Sequence, residues 1–126
     1  MLGVSARTLR REIMSNSDRS RVIHLADARA RIPGSAGEHS VSILQHGSLN
    51  LKLSLPVLPN QQTPHTQDEI YVIMAGKGVL FHDGKRDAFE PGDVMFVAAG
   101  TEHSFEDFTE DLAVWVVFYG PTGGEV

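Results

Sequence analysis

Three side chains in one short segment have the chemistry to bind a metal ion. His65, Gln67 and Glu69 are spaced two residues apart in PHTQDEIYV. If this segment is extended, its side chains alternate between two faces, so these three side chains share one face. An imidazole and a carboxylate on one face offer a nitrogen and an oxygen ligand to the same cation. The segment is therefore a candidate for one part of a metal site.

A further histidine opens another extended segment. His103 follows the turn residues of VAAGTEH. With His65 and Glu69 it makes a set of two histidines and one carboxylate, to which Gln67 could add an amide oxygen. Such a set leaves coordination positions open and suits Fe, Mn, Ni or Zn as a divalent ion. Spacing alone does not show that His65 and His103 meet, so this step depends on the fold.

The elements that must position these residues are short strands. From Val22 onward the chain shows apolar segments separated by glycine turns, and no helical period. LNLKLSL alternates leucines with polar residues, which is typical of a half-buried strand. The turn residues Asp83-Gly84 lie between two extended segments and predict a hairpin. Many short strands at regular spacing predict an all-β sandwich or barrel.

The segment EIYVIM is apolar on both faces, because Tyr71 and Ile73 alternate with Ile70, Val72 and Met74. One face must line the barrel, and the other needs cover from a second sheet or a second subunit. LAVWVVF has the same character. The pattern predicts a homodimer.

The first candidate segment resembles the first conserved motif of the cupin superfamily. In that motif two histidines lie one residue apart, a glutamate follows, and a glycine comes after six further residues. Glu69 and Gly76 fit this spacing, and His65 falls where the second histidine belongs. Thr63 stands where the first histidine belongs.

The second segment resembles the second cupin motif. Gly92, Gly100 and His103 match it, while Ala98 replaces a proline and Asp107 replaces an asparagine. The resemblance covers about residues 40 to 119. It implies a small single-domain cupin, that is, one double-stranded β-helix or jelly-roll barrel, and it implies that His65, Glu69 and His103 are metal ligands.

Thr63 departs from the usual cupin set of three histidines and one glutamate. A threonine hydroxyl is a poor ligand for a borderline metal. The amide of Gln67, or that of Gln61 or Gln62, could take the place, as could water. The resulting three-ligand site binds metal more weakly than a four-ligand site.

Composition predicts one domain and excludes several classes of function. The 126 residues suit a single core, assigned to residues 21–126. Residues 1–20 are polar and basic and are interpreted as a flexible or short helical arm, a partner-contacting segment or an overextended start. A net charge of −5 without a basic block disfavours nucleic acid. The lack of a bilayer-length apolar run, a secretory signal and cysteine favours a cytoplasmic protein that does not bind membranes.

Three functions follow from these residues. The first is a small metalloenzyme of oxygenase or isomerase type that acts on a small polar metabolite, with Tyr71 or Gln67 as the proton carrier or orienting group. The alternative is a non-catalytic module that binds a small ligand. A storage or structural protein with an empty barrel is disfavoured, because buried ionisable groups without partners are costly.

Overall fold

The computed structural model describes residues 20–60 and 62–126. The predicted arm of residues 1–20 lies outside the described residues except for Ser20, so the domain boundary at that point stays a prediction. The elements of the described part are α1 (Leu25–Arg29), β1 (Ser40–His46), β2 (Leu49–Ser54), β3 (Asp68–Ala75), β4 (Gly78–His82), β5 (Lys85–Phe89), β6 (Val94–Val97), β7 (His103–Glu106) and β8 (Ala113–Tyr119).

The strands form two antiparallel sheets that share one core. The larger sheet has the order β1-β2-β8-β3-β6, and the smaller has the order β5-β4-β7. Strand β8 lies between β2 and β3, so segments far apart in the chain become neighbours. Strand β3 and strand β7, which carry the two candidate segments, belong to different sheets. The all-β jelly-roll barrel predicted from the sequence is confirmed.

The core consists of inward side chains from both sheets. In β3 the inward residues are Tyr71 and Ile73, each about 1% exposed, and they face Val116 and Val114 across β8. The buried apolar cluster contains Tyr71, Ile73, Leu80, Phe89, Val97, Phe105, Leu112, Val114 and Val116. Beyond this cluster the interior becomes polar, with buried Glu69 and His103. The candidate ligands therefore lie at one end of an apolar core.

The short helix α1 was not predicted, because a strand-only pattern was expected from Val22 onward. Its five residues are LADAR, and Ala28 is buried. One turn of helix is too short to establish a period of 3.6 residues, so the sequence pattern could not reveal it. No helix of the described residues has the length and apolar character that crossing a bilayer requires.

The outward face of β3 and its neighbour β6 is apolar and open. Met74, Val94 and Phe96 are 39%, 65% and 56% exposed. The register places Ile70 beside Phe96 and Val72 beside Val94, so these side chains form one face. This is the face that the alternation of β3 predicted to need cover. The homodimer inferred from it stays a prediction.

The motif glycine Gly76 has two reasons to be glycine. Its φ is +87°, a backbone conformation that residues other than glycine rarely adopt. A Cβ atom there would lie 2.6 Å from the Cα atom of Leu112 and 2.9 Å from its nitrogen. Gly84 has a similar φ of +77°, but a Cβ atom there would meet nothing within 4 Å. Comparing the two glycines separates backbone strain from overlap.

We expect Gly76→Ala to destabilise the protein more than Gly84→Ala does. The positive φ alone costs about 1–2 kcal/mol in either variant. Overlap with the Leu112 backbone adds about 1–3 kcal/mol in Gly76→Ala only. Urea unfolding of both variants measures the difference in the free energy of unfolding. Equal losses would show that the close approach to Leu112 is not a constraint.

Candidate metal centre

Glu69 is held inside the barrel by strand β3. It is the second residue of this strand, pairs with Val97 of β6 and Phe118 of β8, and is 2% exposed. Its neighbour Asp68 accepts hydrogen bonds from the backbone nitrogens of Ala99 and Glu125, both at 2.9 Å. These bonds hold the pKa of Asp68 below its usual value, so Asp68 is ionised. The start of β3 is thereby tied to the loop after β6.

His103 enters the site from the other sheet. It is the first residue of β7 and is 2% exposed. Its Nδ1 atom lies 2.8 Å from the carbonyl oxygen of Thr101. Because a carbonyl can only accept, Nδ1 carries the proton that it donates, and this fixes the orientation of the ring. Nε2 then faces Glu69, the arrangement in which metal-binding histidines are commonly held.

His65 lies in the loop before β3 and is joined to the second candidate segment through its backbone. Its carbonyl accepts a hydrogen bond of 2.8 Å from the nitrogen of Gly100. Its ring lies edge-on to Phe118, with 4.7 Å between centroids, and 5.2 Å from the ring of His103. The predicted meeting of His65 and His103 is therefore present in the structure.

The three predicted ligands converge on one point. The Nε2 atom of His103 lies 3.2 Å from Oε1 of Glu69, and that of His65 lies 3.9 Å from the same oxygen. Ligands about 2.1 Å from a metal, at tetrahedral or octahedral angles, lie about 3.0–3.5 Å from each other. The His103–Glu69 distance fits this range. The His65–Glu69 distance is longer than this range, and the side chain of His65 is 32% exposed.

Two of these atoms are buried without a hydrogen-bond partner among the described residues. They are Oε1 of Glu69 and Nε2 of His103, whose mutual orientation does not meet hydrogen-bond geometry. Such atoms are costly in a folded protein and call for an explanation. A cation between them satisfies both lone pairs at once. The residues present therefore fit a divalent metal.

The two histidines differ in their affinity for a proton. Burial lowers the pKa of His65 and outweighs the opposing charge of Glu69, and the charges of His103 and Lys52 lower it further, so His65 is neutral at physiological pH. Burial also lowers the pKa of His103, but the Glu69 carboxylate and the Thr101 carbonyl outweigh burial and leave that pKa above its usual value. A proton on His103 is therefore the competitor of a metal at this position.

Tyr71 lies beside His103, with 6.2 Å between the ring centroids. It is 1% exposed, and its hydroxyl donates to Oε1 of Gln62 over 3.4 Å. Burial raises the pKa of Tyr71 far above its usual value, and the charge of Glu69 adds to this effect. The hydroxyl is therefore always protonated at physiological pH, and it can donate a hydrogen bond into the site.

Gln67 does not share a face with His65 and Glu69. Its Nε2 atom donates to the carbonyl oxygens of Ser48 and Gly120, both at 2.9 Å. Strand β3 begins only at Asp68, and the backbone bends at residues 66–67, so the alternation expected from an extended segment is interrupted. The structure thus places the Gln67 amide against two loops and not among the ligand atoms.

A pocket of about 500 Å³ opens onto the site. It is lined by His65, Glu69 and Tyr71, and also by Gln62 and Thr63. Thr63, which stands in the place of a motif histidine, is thus on the pocket side of the ligand group. Gln61, the other glutamine considered as a ligand, lies outside the described residues. The open side of the three-ligand group faces space that a small molecule can enter.

Lys52 also lines this pocket and was not predicted as a site residue. Strand β2 forms as predicted, but two of its polar residues, Lys52 and Ser54, line the pocket. Lys52 pairs with Val116, which pairs with Tyr71. Period-two alternation in one strand does not say which face is inside. A lysine in a strand whose neighbours are leucines was the signal, and the sheet order was needed to interpret it.

The fold and motifs identify the family. Residues 57–119, half of the chain, match the family model described as a cupin domain. The chain belongs to this family, and the resemblance based on the two motifs is confirmed. Asp107 stands where the second motif has asparagine, and its φ is +46°. Aspartate and asparagine both adopt a positive φ more readily than most other residues do.

Similar proteins extend the comparison. The chain is 37% identical over 62 residues to an uncharacterised protein of Streptomyces coelicolor. The matched segment covers 49% of this chain and 59% of that protein. A solved protein of unknown function from Rhizobium leguminosarum matches with a TM-score of 0.63 and 20% identity, over 81% of this chain and 98% of its own. A predicted oxalate decarboxylase from Thermotoga maritima matches with a TM-score of 0.51 and 26% identity, over 64% and 77%.

The unpartnered atoms give a prediction for Glu69→Gln. The amide of glutamine can donate to Nε2 of His103, and a buried charge is removed. We therefore expect the metal-free variant to be more stable than the parent by about 1 kcal/mol, although it binds metal more weakly. Chemical unfolding in the presence of a chelator and at alkaline pH, where His103 is neutral, measures this change.

The matched control is Glu90→Gln, which removes a charge from an exposed position and should leave stability within about 0.5 kcal/mol. A clear loss of stability in Glu69→Gln would mean that Glu69 is held by a protonated His103 as an ion pair. The metal interpretation of the two atoms would then fail.

Proposed function

We propose that this protein binds one divalent metal ion through His65, Glu69 and His103 and acts on a small polar metabolite in an oxygenase- or isomerase-type reaction. The observation that carries the proposal is the pair of buried, unpartnered atoms on Glu69 and His103, 3.2 Å apart and adjoining a pocket. A pair of this kind has no purpose in a purely structural core.

The ligand set narrows the choice of metal. Two imidazole nitrogens and one carboxylate oxygen suit Fe(II), Mn, Ni or Zn, and three protein ligands leave positions open toward the pocket. When bound, such an ion supplies Lewis-acid polarisation of an oxygen-bearing substrate group.

The chain's own residues support this chemistry. Thr101 holds His103 in the tautomer that offers Nε2 to the site. The protonated hydroxyl of Tyr71 can donate a hydrogen bond to a substrate oxygen. The apolar side chains of Phe105, Val116 and Phe118 line the same pocket and exclude water from the substrate. Tyr71 therefore remains the candidate catalytic residue, and Gln67 is left out of the proposal.

The relatives support a small-molecule ligand. The Thermotoga maritima neighbour is named a predicted oxalate decarboxylase, which is an enzyme that acts on a small organic acid. The curated relatives are uncharacterised, and the matches span 59% and 62% of their length. A small metabolite in the pocket is consistent with the name of the Thermotoga maritima protein. The cytoplasmic location expected from the sequence stays a prediction.

A second candidate is a cupin that binds a small ligand without catalysis. The raised pKa of Tyr71 favours it, because a phenol that does not ionise can orient a ligand but cannot act as a base. Turnover of small carbonyl, enol or carboxylate compounds by the metal-loaded protein discriminates the two. Binding without turnover would favour the second candidate.

We expect untagged protein purified without chelator, or reloaded with metal, to contain about one metal ion per chain, as measured by elemental mass spectrometry. His103→Ala should remove it, because one of three ligands is lost. His46→Ala is the matched control, since His46 is exposed at the end of β1. Thermal unfolding establishes that each variant is folded.

Two results would contradict the metal proposal. One is a parent protein that takes up no metal even after reloading with Mn, Fe, Ni or Zn. The other is a folded His103→Ala variant that retains its metal. The first result would leave the non-catalytic ligand-binding cupin as the better account.

A further inference from the structure

The pocket contains a positive charge that the metal site does not use. Lys52 lies on β2, is half-buried and lines the same pocket as His65 and Glu69. Among residues 20–60 and 62–126, no carboxylate forms a salt bridge with it. A lysine turned into a pocket without a partner differs from the usual lysine, whose charge extends to bulk water.

The sheet register relates the position of Lys52 to that of Tyr71 on strand β3. Lys52 pairs with Val116, and Val116 pairs with Tyr71, so Lys52 is two strands away from β3 on the same inward face. Neighbouring strands lie about 4.8 Å apart, which puts the backbones of Lys52 and Tyr71 about 10 Å apart. A ligand of a few atoms could therefore reach from one site to the other.

The charge of Lys52 favours an anion at its own end of the pocket, whose lining also contains Glu38 and Glu69. The whole chain carries a net charge of −5, so attraction of an anion must be local. Among the described residues that line the pocket, Lys52 is the one lysine or arginine. Glu38 also lines the pocket, but its Oε1 atom accepts a hydrogen bond from the Ala36 nitrogen.

Apolar side chains lie between the two ends. Val116 is the neighbour of Lys52 across the strands, and Phe118 lies one inward position further along β8, beside Glu69. Both line the pocket. Along the pocket, Lys52 is thus followed by a short apolar wall and then by the proposed metal site, which would bind an oxygen atom of the ligand.

We propose that Lys52 binds a carboxylate of the substrate, and that the substrate is a short carboxylic acid whose other end carries an oxygen donor for the metal. This inference rests on the proposed metal site and adds the class of substrate. Lys52 is then a residue that determines specificity by charge and does not contact the metal.

The experiment measures ligand binding by calorimetry with protein loaded with Mn²⁺. Succinate, which has a carboxylate at each end, is compared with succinamide, which has the same length and no charge. The variants are Lys52→Gln, Lys52→Arg and Lys77→Gln. Lys77 is exposed in the turn between β3 and β4, outside the pocket lining, so its variant controls for the loss of one positive charge.

We expect the parent to prefer succinate to succinamide, and Lys52→Gln to lower succinate affinity about ten- to a hundredfold, as the loss of one charge-assisted bond implies. Lys52→Arg should restore most of that affinity. Lys77→Gln should change it less than about twofold, because exposed charges are screened by salt. Mn²⁺ affinity should be the same in every variant.

Two outcomes would overturn the proposal, and they are distinguishable. If Mn²⁺ does not bind to the parent, the metal proposal fails and the substrate class fails with it. If Mn²⁺ binds, but succinate shows no preference over succinamide or loses no affinity in Lys52→Gln, then the role of Lys52 alone is wrong.

Discussion

A carboxylate oxygen and an imidazole nitrogen that both present lone pairs in a buried space repel each other unless a proton or a cation lies between them. Oε1 of Glu69 and Nε2 of His103 are in this relation, 3.2 Å apart. The Thr101 carbonyl fixes the His103 ring, and strand β3 fixes Glu69, so neither can turn away. The bond from Gly100 to the His65 carbonyl then brings the third ligand to the same point.

The rest of the pocket follows from the order of strands in the larger sheet. Because β8 lies between β2 and β3, the inward residues of β2 face the same space as Glu69. A cupin barrel as such supports many functions, so the function must be inferred from these side chains and not from the fold. The three candidate metal ligands, an apolar wall and Lys52 line one space, and the short anionic metabolite proposed above would fit there.

The sequence was sufficient for the barrel and for the grouping of His65, Glu69 and His103, because alternation and motif spacing are local properties. It could not place Gln67, since whether the chain is already extended there depends on where β3 begins. It could not identify Lys52, since the inward face of β2 is determined by its pairing with β8. The helix Leu25–Arg29 was missed because one turn carries no period.

The most direct test of the metal centre is a crystal structure of the protein soaked with Mn²⁺, with anomalous diffraction measured at the manganese absorption edge. The account predicts one strong anomalous peak about 2.0–2.3 Å from Nε2 of His65, Oε1 of Glu69 and Nε2 of His103. A site without an anomalous peak, with the His103 ring hydrogen-bonded to Glu69, would contradict it.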